Sequence, residues 1–461
     1  MKKKKNIFIA TFGCQMNDYD SKRILQLLDD DYARIDRPDL ADLIIINTCS
    51  IREKAEHKLY SLAGRYKPLK RRNPALVIGI GGCVAQQEGR RLLKRMDYVD
   101  MVFGPQGLYR LPEMIKEAEE GRRSVFTELS PDFRIPAIVA PLPEKNPVRA
   151  FVTIMQGCNN FCSYCVVPNV RGREISRPPE EIVREVEDAV RQGVREITLL
   201  GQNVNSYGRH DSRYPSFPEL LDMVDAVRGL ARLRFTTSHP KDLSDELIDR
   251  FGQLDSLCEH LHLPVQSGST RILRQMNRRY SREDYLAKIT RLREKCPEIT
   301  LTTDIIAGFP GETESDFMET ISLLERVRYD QIFAFKYSKR PGTRAVELDG
   351  HLPEEVKAAR LAAILELQTE IGLSQYGKLE DRIEEVLVEE VADKNDRENV
   401  WLRGRTRGNH VVNFRGPAAL RGMFVNVLVE KACNHSLSGR YLNVNEQDNV
   451  TNLSESGATS C

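Results

Sequence analysis

Three closely spaced cysteines are the residues of this chain whose types and spacing most clearly indicate chemistry. Cys158, Cys162 and Cys165 follow a C-x3-C-x2-C spacing, and no fourth Cys or His lies beside them. Thiolates are the usual protein ligands of iron–sulfur clusters, and a [4Fe–4S] cluster has four irons to ligate. A structural zinc site, by contrast, normally has four protein ligands. The spacing therefore predicts a cluster with one iron left open for another ligand.

Three further cysteines lie at equivalent places along the N-terminal part of the chain. Cys14, Cys49 and Cys83 each follow a short apolar run that is typical of a strand, and each precedes a predicted helix. The carboxyl ends of parallel strands meet at one edge of a sheet, where open α/β sheets bind ligands. The glycines Gly13 and Gly82 would let backbone approach a bulky ligand closely. We therefore predict a second three-cysteine cluster site, although free cysteines are also often simply buried.

The elements that must position these cysteines alternate between strands and helices. Strands are predicted at Ile7–Phe12, Leu43–Asn47, Leu76–Ile80 and Tyr98–Phe103. Helices are predicted at Ser21–Asp29, Arg52–Tyr66, Gln86–Lys94 and Tyr109–Glu120. This alternation predicts a parallel sheet with helices packed on its faces.

A second series of strands and helices begins just before the Cys158 motif. Its predicted strands are Phe151–Met155, Glu196–Leu200, Arg232–Thr237, His260–Leu263, Thr300–Ile306 and Ile332–Phe335. Helical patterns lie between them, so the series resembles a (βα)8 barrel with two units missing. In barrels of this kind the chemistry lies on the loops that follow the strands. The Cys158 motif is the first of those loops.

The C-terminal part has short β-like runs and an excess of basic residues. Runs such as Ile383–Glu389 and Phe424–Glu430 predict a small β-barrel. Arg403, Arg405 and Arg407 alternate along one run, so in a strand they would share a face. A basic face of this kind fits a nucleic-acid surface. A solvated charged face fits the same pattern.

Length and composition exclude several classes of protein. A chain of 461 residues with 41% hydrophobic residues is too long for one core. Its ten cysteines are too sparse for a secreted disulfide scaffold and fit metal ligation in a reducing cytoplasm. The apolar run Ile7–Phe12 is shorter than the apolar region of a signal peptide, which has roughly 7–15 residues. No run approaches the ~20 apolar residues of a membrane helix. We expect a cytoplasmic protein with no membrane partner.

These patterns predict an α/β chain in five segments. They are an N-terminal parallel α/β domain at 5–121, a linker at 122–143, a partial (βα)6 barrel core at 144–375, a small β-barrel at 376–440, and a polar tail at 441–461. The tail is predicted to be disordered because it has few apolar residues.

Several motifs resemble one family. The C-x3-C-x2-C motif after the first barrel strand resembles the radical S-adenosylmethionine (SAM) superfamily. With the upstream cysteines and a C-terminal β-barrel, the chain is similar to its methylthiotransferases, which carry a cluster domain, a radical SAM core and a TRAM RNA-binding domain. Finer segments resemble the tRNA-2-methylthio-N6-dimethylallyladenosine synthase branch (MiaB type): Phe12-GCQMNDYDS, Asn47-TCSIREKAE, Gly82-CVAQQ, Ser238-HPKDL, His262-LPVQSGS, Met276-NRRYSREDY, Thr303-DIIAGFPGET and Tyr337-SKRPGT.

The resemblance implies a specific chemistry. Two [4Fe–4S] clusters would be held, one by Cys158, Cys162 and Cys165 and one by the N-terminal cysteines. The first would bind and reductively cleave SAM, and the second would carry the sulfur. A methylthio group would be added to carbon 2 of N6-isopentenyladenosine at position 37, in the anticodon stem-loop of tRNA. An electron-donor protein and a sulfur or iron–sulfur supply protein would be partners.

The same resemblance implies contacts for the cofactor and the RNA. SAM would be contacted by loop residues after the later barrel strands, namely Gln266, Ser267, Gly268, Ser269, Gly308 and Gly311. Arg403, Arg405 and Arg407 would hold RNA phosphates. The superfamily's usual Gly-Gly-Glu after the second barrel strand is replaced here by Gly201-Gln202-Asn203. No individual catalytic side chain is predicted, because such radical chemistry belongs to the cofactor.

Three alternatives remain open on the sequence. The same chemistry could act on threonylcarbamoyl-adenosine in tRNA, or on an aspartate of a ribosomal protein. A more remote alternative is a nonenzymatic RNA-binding protein with structural zinc, which two isolated sets of three cysteines fit poorly.

Overall fold

The computed structural model describes residues 3–50, 53–137, 146–392 and 399–443. The end of the predicted linker, the first two residues of the predicted core and most of the predicted tail lie outside these residues.

The first domain is a parallel sheet covered by helices on both faces. Its strands are β1 (Lys5–Phe12), β2 (Tyr32–Arg34), β3 (Leu43–Thr48), β4 (Val77–Gly82), β5 (Met101–Phe103) and β6 (Ser124–Phe126), and its helices are α1 (Gln15–Leu27), α2 (Glu53–Arg72), α3 (Cys83–Glu88), α4 (Arg90–Arg95) and α5 (Leu111–Glu119). The strand order is β2-β1-β3-β4-β5-β6. Ile44 and Ile46 belong to one core and Leu43 and Ile45 to the other, which explains the unbroken apolar run in β3.

Several features of this domain differ from the prediction: strand β2 was not predicted, and α1 begins at Gln15 and not at Ser21. The predicted helix Gln86–Lys94 is two helices, because the chain turns at Gly89 with φ +49°. The sheet also extends past the predicted boundary at residue 121, since β6 pairs in parallel with β5. Three residues in an extended segment without periodicity carry too weak a signal to be recognised as a strand.

The core domain contains the six predicted barrel strands. Its strands are β7 (Arg149–Thr153), β8 (Met155–Gln156), β9 (Ile175–Ser176), β10 (Glu196–Leu200), β11 (Arg232–Phe235), β12 (His260–His262), β13 (Thr300–Ala307) and β14 (Gln331–Lys336). Its helices are α6 (Val167–Arg171), α7 (Pro179–Arg191), α8 (Phe217–Asp225), α9 (Asp245–Arg250), α10 (Thr270–Gln275), α11 (Arg282–Lys295), α12 (Glu314–Val327) and α13 (Glu354–Gly377). The predicted boundary between core and β-barrel, at 375/376, falls in the last turn of α13.

The barrel is open on one side. The parallel sheets β11-β10-β7 and β12-β13-β14 are joined by a bridge between Leu233 and Leu257. In the described part of the chain β7 and β14 are edge strands that do not pair with each other. Side chains alternate along each strand: residues such as Ile197 and Leu199 pack outward in the main apolar core. Their neighbours, such as Thr198, form the inner face of the barrel.

The last domain is a closed β-barrel. Its strands are β15 (Ile383–Val391), β16 (Val400–Arg405), β17 (Val411–Gly416), β18 (Phe424–Cys433) and β19 (Ser436–Tyr441), in the order β15-β16-β17-β19-β18. The predicted fold class, with its parallel α/β domain, partial barrel and small β-barrel, is confirmed. Within the described residues, no helix combines the length and apolar character that crossing a bilayer requires.

The β-barrel closes the end of the partial barrel where the strands begin. Arg232 on the inner face donates to the carbonyl oxygen of Arg405 (2.7 Å). Its neighbour Arg234 donates to the carbonyl oxygens of Thr406 (2.8 Å) and Arg407 (2.7 Å). These buried guanidinium groups fill the bottom of the barrel, so the loops after the strands form its accessible end.

Candidate functional site

The N-terminal sheet brings Cys14, Cys49 and Cys83 to one edge. They follow β1, β3 and β4, which are adjacent in the sheet and in register, with Phe12 opposite Thr48 and Thr48 opposite Gly82. Cys14 caps the first turn of α1, and Cys83 is the first residue of α3. Helix starts and strand ends thus meet at one point, because each strand in a parallel sheet ends at the same edge.

The three thiols interact directly. The Cys49 thiol is hydrogen-bonded to both Cys14 and Cys83. The hydrogen bond from Cys49 lowers the pKa of Cys14 to about 6 and that of Cys83 to about 7. The same two hydrogen bonds raise the pKa of Cys49 well above its usual range. These hydrogen bonds therefore favour the thiolate, the form in which cysteine binds metal, at Cys14 and Cys83.

The glycines beside these cysteines serve the packing of the protein chain. Gly82 has φ +92°, and a Cβ atom there would lie 2.3 Å from the carbonyl oxygen of Thr48. A Cβ atom on Gly13 would lie 2.4 Å from the Cβ of Cys49. Packing of the chain alone therefore requires glycine at both positions, and close approach of their backbone to a ligand stays a prediction.

Cys158, Cys162 and Cys165 lie in the loop after β8. Gly157 begins the loop with φ +81°, and a Cβ atom there would lie 2.0 Å from the carbonyl oxygen of Arg173. The Gly157 N–H donates to the side chain of Gln202 (2.6 Å), so the residue that departs from the Gly-Gly-Glu pattern holds this loop. Burial raises the pKa of Cys158 to about 11 and that of Cys165 to about 12.

Two buried side chains, an arginine and a histidine, lie beside the sulfur of Cys162. Arg278 donates from Nη1 to Cys162 Sγ (3.5 Å), and its Nη2 donates to the carbonyl oxygen of Pro264 (2.6 Å). His239 Nε2 lies 4.0 Å from the same sulfur. Burial lowers the pKa of His239 far below its usual value, so the ring is neutral. The sequence gave no sign of Arg278 beyond the segment Met276-NRRYSREDY.

The two cysteine sets face each other across the interface between the first two domains. Cys83 packs against Val166 and Val170, directly after the Cys165 motif. Beside the N-terminal set lies Arg171 of the core domain, which is 3% exposed and donates from Nη2 to Asp20 Oδ2 (2.7 Å). Its positive charge lowers the pKa of Cys14 and Cys83, after the contribution of Cys49. Sequence reasoning missed Arg171, because its partners are distant in sequence.

The donor chemistry of both sites fits iron–sulfur clusters. Each site offers three cysteine sulfurs, and each has a buried arginine that balances negative charge. Among the described residues, no three His, Cys, Asp or Glu side chains surround a point as the ligands of a single ion do. Each cysteine ligand of a cubane cluster binds its own iron. Cluster binding by these six cysteines stays a prediction.

The first group of predicted SAM residues lies between β12 and α10. Gln266 is buried with φ +74° and bridges to Ile305 in β13. Ser269 donates to Asp316 (2.6 Å), and Ser267 accepts from the Ser269 N–H (3.2 Å). A Cβ atom on Gly268 would lie 2.5 Å from the carbonyl oxygen of Glu319 in α12. Gly268 is therefore required for contact with a helix, whatever else the loop binds.

The second group lies in the turn after β13. Gly308 and Gly311 both have φ +74°. The Gly308 N–H donates to Glu312 (2.8 Å), whose carboxylate also pairs with Arg360 (2.7 Å) in α13. The turn is thus built by the chain itself, and contacts of these glycines with SAM stay a prediction.

The three predicted RNA-binding arginines lie in different environments. Arg403 is about half exposed, with a side-chain exposure of 53%. Arg405 pairs with Glu389 (3.3 Å) and is mostly covered. Arg407 binds both oxygens of Glu259 in the core domain at 2.8 Å. The predicted common strand face ends at Arg405, because β16 stops there and the chain turns back into β17.

Comparisons with known proteins agree with this arrangement. A family model described as the radical SAM superfamily matches residues 152–324. The uncharacterized protein family UPF0004 matches residues 6–104, and the TRAM domain matches residues 378–442. The three matches coincide with the three folded domains.

Curated relatives cover nearly the whole chain. A protein of Syntrophus aciditrophicus named tRNA-2-methylthio-N(6)-dimethylallyladenosine synthase is 50% identical over 95% of both chains. A protein of Geobacter metallireducens with the same name is 49% identical, over 94% of this chain and 98% of its own.

Solved structures share the fold at much lower identity. The radical S-adenosylmethionine methyltransferase TsrM from Kitasatospora setae has a TM-score of 0.55 at 14% identity and is covered over 72% of each chain. The cobalamin-dependent S-adenosylmethionine radical enzyme OxsB has a TM-score of 0.51 at 12% identity, over 80% of this chain and 56% of its own. The curated relatives are 50% and 49% identical over nearly the whole chain. The chain therefore belongs to the tRNA-2-methylthio-N(6)-dimethylallyladenosine synthase family of radical SAM proteins.

Proposed function

We propose that the chain is a radical SAM methylthiotransferase that adds a methylthio group to carbon 2 of N6-dimethylallyladenosine at position 37 of tRNA. The observation that carries the proposal is the pair of three-cysteine sites that face each other across one domain interface. The shared name of the relatives favours this substrate over threonylcarbamoyl-adenosine and a ribosomal-protein aspartate. The enzyme uses an iron–sulfur cluster and SAM, as radical SAM proteins do.

The two cysteine sites would have different roles in the reaction. Cys158, Cys162 and Cys165 would hold the cluster that binds SAM, and Cys14, Cys49 and Cys83 would hold a second [4Fe–4S] cluster. When bound, these groups supply the electron for SAM cleavage and the sulfur for insertion. The chain itself keeps both sites buried, and Arg278 donates a hydrogen bond to Cys162 (3.5 Å). Gln202 and Gly157 fix the loop that carries the first set.

SAM would bind over the loops after β12 and β13. Gln266 links the two loops, because its backbone pairs with both Asp304 (2.9 Å) and Ile306 (2.9 Å). The other predicted SAM contacts follow these pairs along the two segments: Ser267, Gly268 and Ser269 after Gln266, and Gly308 and Gly311 after Ile306. Their backbone groups and hydroxyls offer the polar contacts that a nucleoside and an amino acid require.

The tRNA would contact the outer face of the β-barrel. Trp401 is 43% exposed, and the Arg415 guanidinium lies 5.0 Å from its ring. Arg403 projects from the same face of β16 two residues later. This aromatic and basic surface fits single-stranded RNA, in which bases stack on rings and phosphates pair with arginine. Arg405 and Arg407 instead join the β-barrel to the core.

The reaction also requires partners outside the chain. An electron-donor protein would reduce the first cluster, and a sulfur or iron–sulfur supply protein would restore the second. A reducing cytoplasm would keep all these cysteines reduced and free of disulfides.

Iron and nucleoside analysis test the proposal together. Anaerobically reconstituted protein is expected to hold about eight irons and eight sulfides, falling to about four of each when Cys158, Cys162 and Cys165 become alanine. Mass spectrometry of tRNA nucleosides from a deletion strain should show loss of the methylthio nucleoside and its return on complementation. About four irons in the wild type would remove the second cluster from the proposal, and persistence of the nucleoside would refute the substrate.

A further inference from the structure

The inner face of the open barrel carries an exposed aromatic pair. Phe333 and Phe335 on β14 are 40% and 47% exposed. They are two residues apart in one strand, so they project from the same face. Single exposed apolar residues are ordinary, but a continuous aromatic surface inside a concave site indicates a ligand.

The pairing of the strands fixes the direction of these rings. Phe333 lies opposite Asp304, and Phe335 lies opposite Ile306. The alternate residues Ile332 and Ala334 pack outward in the apolar core that α13 covers. Phe333 also meets the ring of His262 edge-on, with the ring centroids 5.9 Å apart. The two phenylalanines therefore project into the barrel and not toward the helices.

The pair lies just below the Cys158 loop and beside the open side of the barrel. The chain that leaves β14 reaches the loop directly: the Ala345 N–H donates to the carbonyl oxygen of Ser163 (2.8 Å). The carbonyl oxygen of Gly342 accepts from Asn169 in α6 (3.0 Å). Because β14 is an edge strand, these rings border the open side of the barrel.

The side chains beside Phe333 are polar. Asp304 is partly exposed, and His262 Nδ1 lies 2.9 Å from Thr302 Oγ1. An N6-alkylated adenine has a matching character, with a polar ring edge that carries one N–H and an apolar alkyl group beside it. A carboxylate next to two phenyl rings offers an acceptor for the N–H and a surface for the alkyl group.

We propose that Phe333 and Phe335 bind the dimethylallyl group of the substrate adenosine and make the enzyme select the alkylated nucleoside. This inference rests on the proposed function, because it takes the nucleoside of that reaction as the occupant. A threonylcarbamoyl group carries a carboxylate and hydrogen-bonding groups, and two phenyl rings would leave those groups unpaired. The rings thus favour the dimethylallyl substrate in two ways. They cover the apolar surface of the dimethylallyl group, and they offer no hydrogen-bond partner to a threonylcarbamoyl group.

Binding of matched RNAs tests the inference without turnover. An anticodon stem-loop with dimethylallyladenosine and the same RNA with adenosine are titrated into anaerobic, cluster-loaded protein without SAM, and fluorescence anisotropy gives the two Kd values. We expect wild type to prefer the alkylated RNA about tenfold, since covering part of a five-carbon group favours binding by about that factor. Phe333→Ala/Phe335→Ala should reduce the preference to about twofold, with the Kd for the adenosine RNA unchanged.

Two control variants separate specific from general effects. Phe333→Leu/Phe335→Leu keeps an apolar surface and should retain most of the preference. Leu365→Ala/Leu373→Ala changes two exposed apolar residues on α13 (46% and 41% exposed) and should leave it unchanged. A preference that survives in the double alanine variant overturns the inference. Equal weakening for both RNAs also overturns it, because the rings would then bind RNA in general.

A comparison with turnover distinguishes the inference from the function on which it rests. If wild type methylthiolates the alkylated RNA but binds both RNAs equally, the inference alone is overturned. If wild type neither prefers nor modifies the alkylated RNA, the proposed substrate fails, and the inference fails with it.

Discussion

Replacement of Arg232 by methionine should loosen the contact between the β-barrel and the core. Arg232 is 1% exposed and donates to the carbonyl oxygens of Arg405 (2.7 Å) and Glu385 (2.9 Å). Its guanidinium also lies 4.8 Å from the ring of Phe424. Methionine keeps much of the aliphatic volume but offers no donor, so both carbonyl groups lose a charged partner.

The expected cost follows from these contacts. Hydrogen bonds to a charged group contribute roughly 1.5–3 kcal/mol each, so two of them amount to roughly 3–6 kcal/mol. The ion pair with Glu385 adds little, because that carboxylate is 52% exposed. Methionine escapes the penalty of several kcal/mol for burying a guanidinium, which offsets part of the loss. We therefore expect docking to weaken by about 2 kcal/mol, or about 30-fold.

Hydrogen exchange measures this change directly. Amides in the segment 405–410, which docks on Arg232 and Arg234, should exchange about 30-fold faster in the variant when undocking limits their exposure. Strand β3 in the first domain should be unaffected. Arg228→Met, at an exposed arginine four residues earlier, is the matched control. Exchange of 405–410 within twofold of wild type would refute the reasoning, because Arg232 would then contribute nothing to docking.

Three further predictions concern the cysteine sites and the interface beside them. Arg278→Met removes the donor to Cys162 and should lower the reduction potential of the first cluster by roughly 50 mV. A redox titration measures the potential in protein in which Cys14, Cys49 and Cys83 are alanine. An unchanged potential would contradict this prediction. Glu185→Gln removes the carboxylate that pairs with the buried Arg23 and Arg177, at the contact between the first two domains, and should lower the free energy of unfolding by about 3 kcal/mol in urea titrations. A loss below about 1 kcal/mol would show that water replaces the carboxylate. Gly157→Ala forces a Cβ atom against backbone and should remove about four irons per chain, whereas Gly121→Ala, with a similar φ and no atom within 4 Å, should keep them all.

Much of the architecture could be predicted because it follows from local patterns. The barrel strand Glu196–Leu200 has the predicted bounds, since its apolar run lies within the segment itself. The meeting of Cys14, Cys49 and Cys83 followed from one topological rule about parallel strands. The break at Gly89 and the strand β6 were missed because short elements depend on their neighbours.

The glycines show that a residue predicted for one role can have a second role that the sequence does not reveal. Gly82 and Gly268 stand beside candidate ligand sites, and closeness to a ligand was the natural interpretation. In the structure the carbonyl oxygens of Thr48 and Glu319 occupy the space that a Cβ atom would need. Sequence shows that a side chain is absent but not which atoms fill its place.

The sequence by itself determined the two sets of three cysteines, the order of the domains and the family, because ligand spacing, strand ends and motifs are local or periodic. Only the tertiary structure decided which charges meet those thiols. Arg278 reaches Cys162 across 116 residues of chain, and Arg171 reaches Asp20 across 151. Such pairs form where separate elements are packed together, and no pattern within either segment specifies the partner.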